Sequence, residues 1–587
     1  MMKINKIEIL FFIVLALFAI FITQGKTIAW GLLPLVFLLN SRNESSSNLN
    51  LKLNHSFFIL VVTVFLTNFL VVYNFNTNSI NLPHPDFHFY LKVAKNFTEN
   101  GIENNLTARN VIFKELNFAS PYRFFDTWML SFLLFILPFS DLQTLQLIFI
   151  PILFSVVVLS VYKNSAVKSI YIKLILSFLF LFLFGDIISS KFMFNSFNSE
   201  VCVVSYPKLA IFFCVFLYFI KSQLDKVFNA KSILYLALLP ILIQTSFPIY
   251  IFIVLYLIYN FREYKKNLKI PIAIFISMTY YITFYFLNFI ESKKFFTFGQ
   301  FQYAKSVNEY FSRIVSITFD LIFAKSIIFI PILILLFIIA SKVRRIVYFK
   351  ITVMVATIFL SGILIFAFLP SSPNSYQFLT NFIYPLLIVL VYLFSIDVIN
   401  NIKTLNKKNI GYGLLIVAGS FGFINQSISY GFFNTKDNFS KKYDKQFLNK
   451  TKISFNTITK PIGLTYWSKN NNKRNTSEYF DQYGTGFLIY FSAKYDVVCL
   501  SALNIEDKNF ADKLYKHNSA ISIYERLNPL ISKNKLEENF YNSYPFEFLI
   551  SDLKQSDLPK FIEKNIFESI FDKKNKIYFY KLKREIN

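Results

Sequence analysis

One carboxylate lies in a polar loop that separates two very apolar parts of the chain. The loop covers residues 74–128, and Asp86 lies in it directly after Pro85. A carboxylate held where water meets lipid can act as a general base, removing a proton from an acceptor hydroxyl as that hydroxyl attacks. An aspartate at this position is also a good helix N-cap, and one residue can do both jobs.

Two histidines flank this carboxylate in the pattern His84-x-Asp86-x-His88. In an extended strand the three side chains would point the same way and could hold a divalent metal. The prolines on either side of His84 disfavour a regular strand, and the imidazoles could instead hydrogen-bond to lipid phosphate or backbone. The sequence therefore indicates no certain cofactor and leaves a divalent metal open.

A second acid, Glu200, is predicted on the same side of the membrane, with Asp186 nearby. Two acids from two loops would let one act as base while the other positions the acceptor or a metal. The alternative is that either acid only marks a helix end.

A phosphate leaving group would also need a cation. The candidates are basic residues of predicted external loops, which could instead reach towards headgroups: Arg109, Arg123, Lys208, Lys305 and Arg313.

The residues after Asp86 have helical periodicity. Apolar side chains recur at i, i+3, i+4 and i+7, and polar ones take the other face. The apolar set is Phe87, Tyr90, Leu91, Ala94 and Phe97, and the polar set is Lys92, Lys95 and Asn96. Gly101 follows where a C-cap would stand. The pattern predicts an amphipathic helix on the membrane surface, starting at Asp86.

The composition is that of a membrane protein. Of the 587 residues, 55% are hydrophobic and 19% are aromatic, and apolar runs of about 20 residues recur. We expect a polytopic α-helical protein with roughly 11–13 spans. The net charge of +26 is explained by lysines between the apolar runs, so nucleic acid is not an expected partner. Phosphate-binding loops, nucleotide fingerprints and metalloprotease motifs do not occur.

Basic clusters predict the orientation. Lys3 and Lys6 precede a first apolar run, 7–22, which has no cleavage site and is expected to remain as a span. Three crossings then place residues 74–128 outside.

Two segments do not fit a simple count of membrane spans: 129–139 is short, and 234–259 is broken by Pro240 and Pro248. Each is predicted to be a hairpin, a half-span or a re-entrant element.

The composition predicts two domains: a membrane module, residues 1–431, and an extracytoplasmic α/β domain, residues 432–587. Lys, Asn, Asp and Glu increase from about residue 432, and no later run could span a membrane. Strands are expected within 487–501 and at 546–550 and 577–580, and a short helix at 558–565.

The loop resembles the first external loop of the GT-C superfamily of membrane glycosyltransferases, including protein O-mannosyltransferase-like and aminoarabinose-transferase-like enzymes. The matching residues are Asp86, Tyr90, Ala94, Gly101, Pro121-Tyr122-Arg123 and Trp128. A later stretch, Ser375-Tyr376-Gln377-Phe378 running into Tyr384-Pro385-Leu386, is similar to the family's late external loop. The chain has one acid where the family has an acidic pair, and two additional spans precede the loop.

The resemblance implies an inverting glycosyltransferase that moves a sugar from a polyprenyl-phosphate donor to an acceptor hydroxyl (of a glycan, lipid or protein) at the extracytoplasmic face. It implies a bacterial inner (plasma) membrane protein with catalytic residues Asp86 and Glu200. The expected substrate-binding residues are His84, His88, Tyr90, Arg123, Lys208 and Tyr376. The alternative is a non-catalytic polysaccharide-assembly protein, a flippase or polymerase, which predicts functional polar residues deep inside several spans.

Overall fold

The structure is a computed structural model that describes part of the chain. The described residues are 53–69, 73–74, 79–80, 86–101, 112–113, 124–184, 203–204, 209–225, 230–261, 271–272, 274–279, 281–282, 306–321, 329–368, 373–430, 450–451, 461–466, 497–500, 520–573 and 577–583. Some side chains inside these ranges, among them those of Asp86 and His88, are not described.

The described chain is mostly helical, with a small C-terminal sheet. Three helices are long and apolar enough to cross a membrane: Asp141–Asn164, Lys342–Phe368 and Asn381–Asn401. Several further apolar helices are shorter: Asp126–Ile136, Ile170–Phe182, Ala210–Leu224, Ser232–Leu242, Ile249–Tyr259 and Phe329–Ile339. The expected helical architecture is therefore confirmed in this coarse form.

The first described part surrounds the polar loop. Helix α1 (Leu53–Thr67) is followed by a two-residue antiparallel pair, β1 (Tyr73–Asn74) and β2 (Ser79–Ile80). Helices α2 (Asp86–Asn100) and α3 (Phe124–Ile136) come next. Helix α4 (Asp141–Asn164) starts at a Ser140 capping box, in which the hydroxyl accepts from the Gln143 backbone.

The middle of the chain contains helices α5 to α8. They are α5 (Ile170–Leu179), extended by a 3₁₀ turn (Phe180–Phe182), then α6 (Ala210–Leu224), α7 (Ala230–Leu242) and α8 (Ile249–Tyr259). A 3₁₀ turn (Gln244–Ser246) separates α7 from α8.

Helices α6, α7 and α8 alternate in direction. The Ser222 hydroxyl donates to Ser232 at 3.2 Å, and the Tyr218 and Tyr235 ring centroids are 5.5 Å apart. Helix α7 therefore runs antiparallel to α6. The Tyr256 side chain hydrogen-bonds to Gln223, so α8 returns to the end where α7 began. The segment 234–259 is thus a helical hairpin, one of the three arrangements predicted for it.

The last helices of this region are α9 (Val307–Asp320), α10 (Phe329–Ile339), α11 (Lys342–Phe368), α12 (Pro373–Asn401) and α13 (Leu405–Tyr430). Helix α12 lies at the centre of the bundle. Of its most apolar stretch, within Asn381–Asn401, 89% is buried inside the protein. It contacts α6, α10, α11 and α13.

Within the helical bundle, most of the described basic residues lie at one end. The Arg344 guanidinium pairs with Asp397 at 3.0 Å and donates to the Leu224 carbonyl at 3.1 Å. The Lys173 ammonium lies 4.6 Å from the centre of the Tyr162 ring. We call this the basic end. The described basic residues at this end include Lys163, Lys168, Lys173, Lys221, Lys342, Arg344, Arg345, Lys403, Lys407 and Lys408.

The opposite end of the bundle contains α2, and we call it the α2 end. Here the Asn68 amide donates to the Leu147 carbonyl at 2.8 Å, which joins the end of α1 to the start of α4. The Asn381 amide donates to the Thr245 hydroxyl at 2.7 Å, which joins α12 to the α7–α8 turn.

The C-terminal part forms a five-stranded mixed sheet. The strands are β3 (Ile462–Tyr466), β4 (Val498–Leu500), β5 (Phe548–Ser551), β6 (Ile566–Asp572) and β7 (Ile577–Leu582), in the spatial order β4-β3-β5-β7-β6. Strand β3 is parallel to β4 and β5, whereas β7 is antiparallel to β5 and β6. The described helices of this part are α14 (Ala520–Leu527), α15 (Leu536–Ser543) and α16 (Lys560–Glu563).

The sequence predicted part of this sheet. Strands β4, β5 and β7 and helix α16 lie within or overlap the expected segments, whereas β3 and β6 were not predicted. Residues 487–491, the other expected strand, lie outside the described residues. Strand β3 contains a glycine because a Cβ at Gly463 would lie 2.1 Å from the Phe548 ring on the neighbouring strand.

Candidate functional site

Helix α2 has the bounds that the sequence predicted. It begins at Asp86 and ends at Asn100. Gly101 follows with φ of 67°, and its N–H donates to the Phe97 carbonyl at 2.9 Å. This left-handed conformation suits glycine, which has no Cβ to clash. The helix and its C-cap are therefore confirmed.

The apolar stripe of α2 packs against protein. Tyr90, Leu91, Ala94 and Phe97 are all buried. The Phe97 ring stacks on Trp128 of α3 with centroids 5.9 Å apart. This burial accounts for the apolar period, because the stripe is covered by neighbouring helices of the chain.

Helices α2 and α3 pack closely along this stripe. The Thr98 and Ser131 hydroxyls are hydrogen-bonded at 2.6 Å, next to the Phe97–Trp128 stack. The segment 129–139 is the other segment that did not fit a simple count of membrane spans. Most of it belongs to α3, the helix that packs against α2.

Asn96 differs from its prediction. It was expected on the polar face, but it is only 7% exposed. Its side-chain oxygen accepts from the Asn100 amide at 2.6 Å, and this bond reduces the cost of burying a polar group. The expectation was wrong because a hydrogen-bonded asparagine can be buried.

Further polar side chains are buried at the α2 end, on α3 and the first turns of α4: Asp126, Thr127, Ser131, Thr144 and Gln146. Asp126 is the most notable, because it is a carboxylate only 3% exposed, in the first turn of α3. No role was predicted for it from the sequence. Its position two residues before Trp128, in an otherwise apolar helix, was the available signal.

An ion pair joins α2 to the start of α4. The Lys95 ammonium lies 2.5 Å from the Asp141 carboxylate. The first turns of α4 beyond Gln143 form a π-helical segment, Thr144–Phe149, and Leu147 in it accepts the bond from Asn68. Such wide turns carry one additional residue and frequently occur at functional sites.

The loop between α2 and α3 contacts the C-terminal part through Phe113. This residue is 1% exposed and belongs to the same hydrophobic cluster as residues of α14, α15 and the sheet. Its ring meets that of Tyr544 edge to face, with centroids 5.6 Å apart. The polar loop and the C-terminal part are therefore in direct contact.

Buried tyrosines of the C-terminal part remain neutral. Burial raises the pKa of Tyr466 to about 12, and the nearby Glu537 carboxylate contributes to this rise. Burial also raises the pKa of Tyr580. These phenols act as hydrogen-bonding and packing groups at neutral pH, as when the Tyr580 hydroxyl donates to the Leu553 carbonyl at 2.7 Å.

Most predicted site residues lie beyond what the structure describes. Asp86, His88 and Tyr376 belong to described helices, but their side chains are not described. Tyr90 is described and is buried in the helical core. Arg313 is also described and pairs with Glu309 at 2.6 Å. Those outside the described residues are His84, Arg109, Arg123, Asp186, Glu200, Lys208 and Lys305. Among the described residues, no group of three or more His, Cys, Asp or Glu side chains could hold a metal.

Comparison with known proteins adds no assignment. No family model matches the chain, and no curated protein is significantly similar to it.

Proposed function

We propose that the chain is an inverting glycosyltransferase of GT-C type that uses a polyprenyl-phosphate sugar at the extracytoplasmic face of a bacterial inner membrane. The observation that supports this most is the position of α2. The helix that begins at Asp86 lies at the end of the bundle opposite the basic end and close to the C-terminal part.

The charge distribution supports the proposed orientation. Cytoplasmic loops of membrane proteins are enriched in Lys and Arg, so the basic end faces the cytoplasm. The α2 end then faces outward. Because Phe113 is buried among residues of the C-terminal part, that part is on the outer side too, since a contact cannot form across a membrane.

The exposed surface of the bundle supports a lipid environment. Large apolar side chains are exposed along α1, α11 and α13, including Phe65 on α1 at 64% exposure and Phe349 on α11 at 64%. In water such faces would favour association or aggregation, whereas lipid solvates them. With the two apolar runs before α1, the whole chain has roughly 11–13 spans.

The proposed reaction uses Asp86 as general base. Its carboxylate takes the proton of the acceptor hydroxyl as the oxygen attacks the anomeric carbon of the sugar. The bond from that carbon to the phosphate oxygen breaks on the opposite side, so the configuration inverts and the lipid phosphate leaves with the electron pair. Glu200 positions the acceptor, and His84, His88 and Tyr376 contact substrate, whereas Tyr90, which was expected to bind substrate, is buried in the helical core and packs there instead. Arg123 or Lys208 stabilises the charge that develops on the phosphate.

The carrier alternative is less well supported by the described helices. Hydroxyls inside α4, α5 and α11 donate to carbonyls of their own helix: Ser155 to Pro151 at 2.7 Å, Ser177 to Lys173 at 2.6 Å and Ser361 to Thr357 at 2.9 Å. The hydrogen-bonding groups of such side chains are satisfied within their own helix. They do not form a polar path across the bundle.

The test is Asp86→Asn in membranes whose polyprenyl-phosphate sugars carry a radioactive label. Transfer of label from the lipid fraction to acceptor should fall by roughly 100-fold or more, because a general base contributes about that factor. The protein should remain in the membrane at wild-type amount, measured by immunoblot.

The matched control is Glu99→Gln, a carboxylate on the same helix that is 44% exposed and lies 3.8 Å from Lys95. We expect transfer to stay within about twofold of wild type, since an exposed pair of this kind is worth little. If Asp86→Asn transfers sugar as fast as Glu99→Gln, Asp86 is not the base and the assignment is abandoned.

A further inference from the structure

Within the part of the chain that the structure describes, an aromatic side chain links the helical bundle to the C-terminal part. Phe113 lies between α2 and α3, 12 positions after Gly101 and 11 before Phe124. It is as buried as a core residue, at 1% exposure. Ile112, its neighbour, is half-buried and packs against the same cluster.

The surface that receives Phe113 is aromatic. Tyr544 contacts Phe113 directly and is surrounded by Tyr524, Phe540 and Phe546. Their ring centroids lie between 5.4 and 6.2 Å from that of Tyr544. Edge-to-face and tilted rings at such distances attract each other beyond the effect of burial alone. We call these four residues the aromatic cluster.

The aromatic cluster belongs to elements that pack on the sheet. Tyr524 lies on α14 and Phe540 on α15, whereas Tyr544 and Phe546 lie between α15 and β5. The Tyr524 and Ser543 hydroxyls are hydrogen-bonded at 2.9 Å, which holds α14 to the end of α15. The cluster is therefore supported by the domain itself and offers Phe113 a fixed site.

We propose that the aromatic cluster is an intramolecular docking site for the α2–α3 loop, and that Phe113 acts as the anchor that holds the C-terminal domain over the α2 end. Among the described residues, the contact at Phe113 is then a second attachment, in addition to the covalent connection after α13. One attachment would allow the domain to swing, whereas two restrict it.

This inference deepens the proposed function, because a domain fixed over the α2 end would cover the donor and shape the acceptor entrance. The anchoring itself does not depend on the chemistry. Its test therefore needs no sugar and is decided separately from Asp86→Asn.

The test measures the distance between two spin labels by pulsed electron paramagnetic resonance on the full chain in lipid nanodiscs. Cys202, Cys214 and Cys499 are replaced by serine. Labels are then attached at Leu530→Cys, a domain position that is 99% exposed, and at Phe139→Cys, which follows α3 and is 53% exposed. The anchor is then varied as Phe113→Leu, Phe113→Val and Phe113→Ala.

We expect one narrow distance distribution when Phe113 is retained and again for the Phe113→Leu variant, because leucine still fills much of the site. The width should at least double for Phe113→Ala and be intermediate for Phe113→Val, as the buried contact is lost. If Phe113→Ala folds poorly, the widths of the distance distributions of Phe113→Val and Phe113→Leu are compared instead. An unchanged width in the smaller variants, or a distribution already broad in wild type, overturns the proposal.

Discussion

The two ends of the helical bundle are built from different chemistry. At the basic end, Asp397 is engaged by two groups at once: the Arg344 guanidinium at 3.0 Å and the Tyr348 hydroxyl at 2.7 Å. At the α2 end, the described contacts are mostly between neutral groups, such as Thr98 with Ser131. An ion pair there, Lys95 with Asp141, joins α2 to the start of α4.

Under the proposed function, this difference separates charges that hold helices together from charges that would act on substrate. The Asp397 network ties α6, α11 and α12 together, because Arg344 also donates to the Leu224 carbonyl, and it leaves no charge free for other work. At the α2 end several polar side chains are buried, among them Asp126 and Gln146. Under the proposed function, a phosphate bound there would be met by Arg123 or Lys208, which lie outside the described residues.

The comparison predicts the largest effect for Arg344→Ala. It would leave the Asp397 carboxylate, whose side chain is only 16% exposed, without its cation. We expect a loss of about 2–4 kcal/mol, somewhat below the value for a fully buried pair because Arg344 is partly exposed. Unfolding in detergent, followed by tryptophan fluorescence, measures it. Arg344→Lys should recover part of the loss, and equal stability of Arg344→Ala and wild type would contradict the network.

A second prediction concerns helix packing between the two ends. A Cβ at Gly422 of α13 would lie 2.1 Å from the Phe182 carbonyl oxygen, whereas one at Gly413 of the same helix would meet nothing within 4 Å. Gly422→Ala should cost about 1–3 kcal/mol, because backbone must shift. Gly413→Ala should be neutral or stabilise by about 0.5–1 kcal/mol, as glycine disfavours helix. Similar melting temperatures for the two variants would show that α13 does not approach Phe182 so closely.

The smallest effect is expected for Lys95→Ala at the α2 end. Both side chains of its pair with Asp141 are partly exposed, at 22% and 32%. We therefore expect a loss of only about 0.5–1 kcal/mol, reduced further by salt. The same unfolding assay at low and high ionic strength checks both statements. A loss as large as that of Arg344→Ala would remove the distinction between the two ends.

The sequence predicted those parts of the fold that local rules determine. Helix α2 could be placed because Asp86 and Gly101 are strong start and stop signals around a clear helical period. Strand β3 was missed because Pro461 and Gly463 read as a loop. Its glycine is explained only by the Phe548 ring, which comes from a strand 85 positions later in the chain.

The candidate site was predictable to a smaller extent. The acid and its helix follow from one short stretch, but the contacts around that helix depend on residues distant in sequence. Nothing near Phe113 in the sequence indicates that its ring packs in the C-terminal domain, since a single phenylalanine forms no periodic apolar pattern. Asn96 shows the same limit, because its burial depends on a bond to Asn100 that polarity alone does not indicate.

The π-helical segment at Thr144–Phe149 has a consequence for how the chain can change over time. Such a turn accommodates one residue more than an α-helix, so removing a single residue there could restore regular winding. The part of α4 before the deletion would then rotate by about 100° relative to the part after it. Asp141 would turn away from Lys95, while the apolar helix below kept its neighbours. Lineages that differ by one residue at this point would thus share a bundle but present different groups around α2.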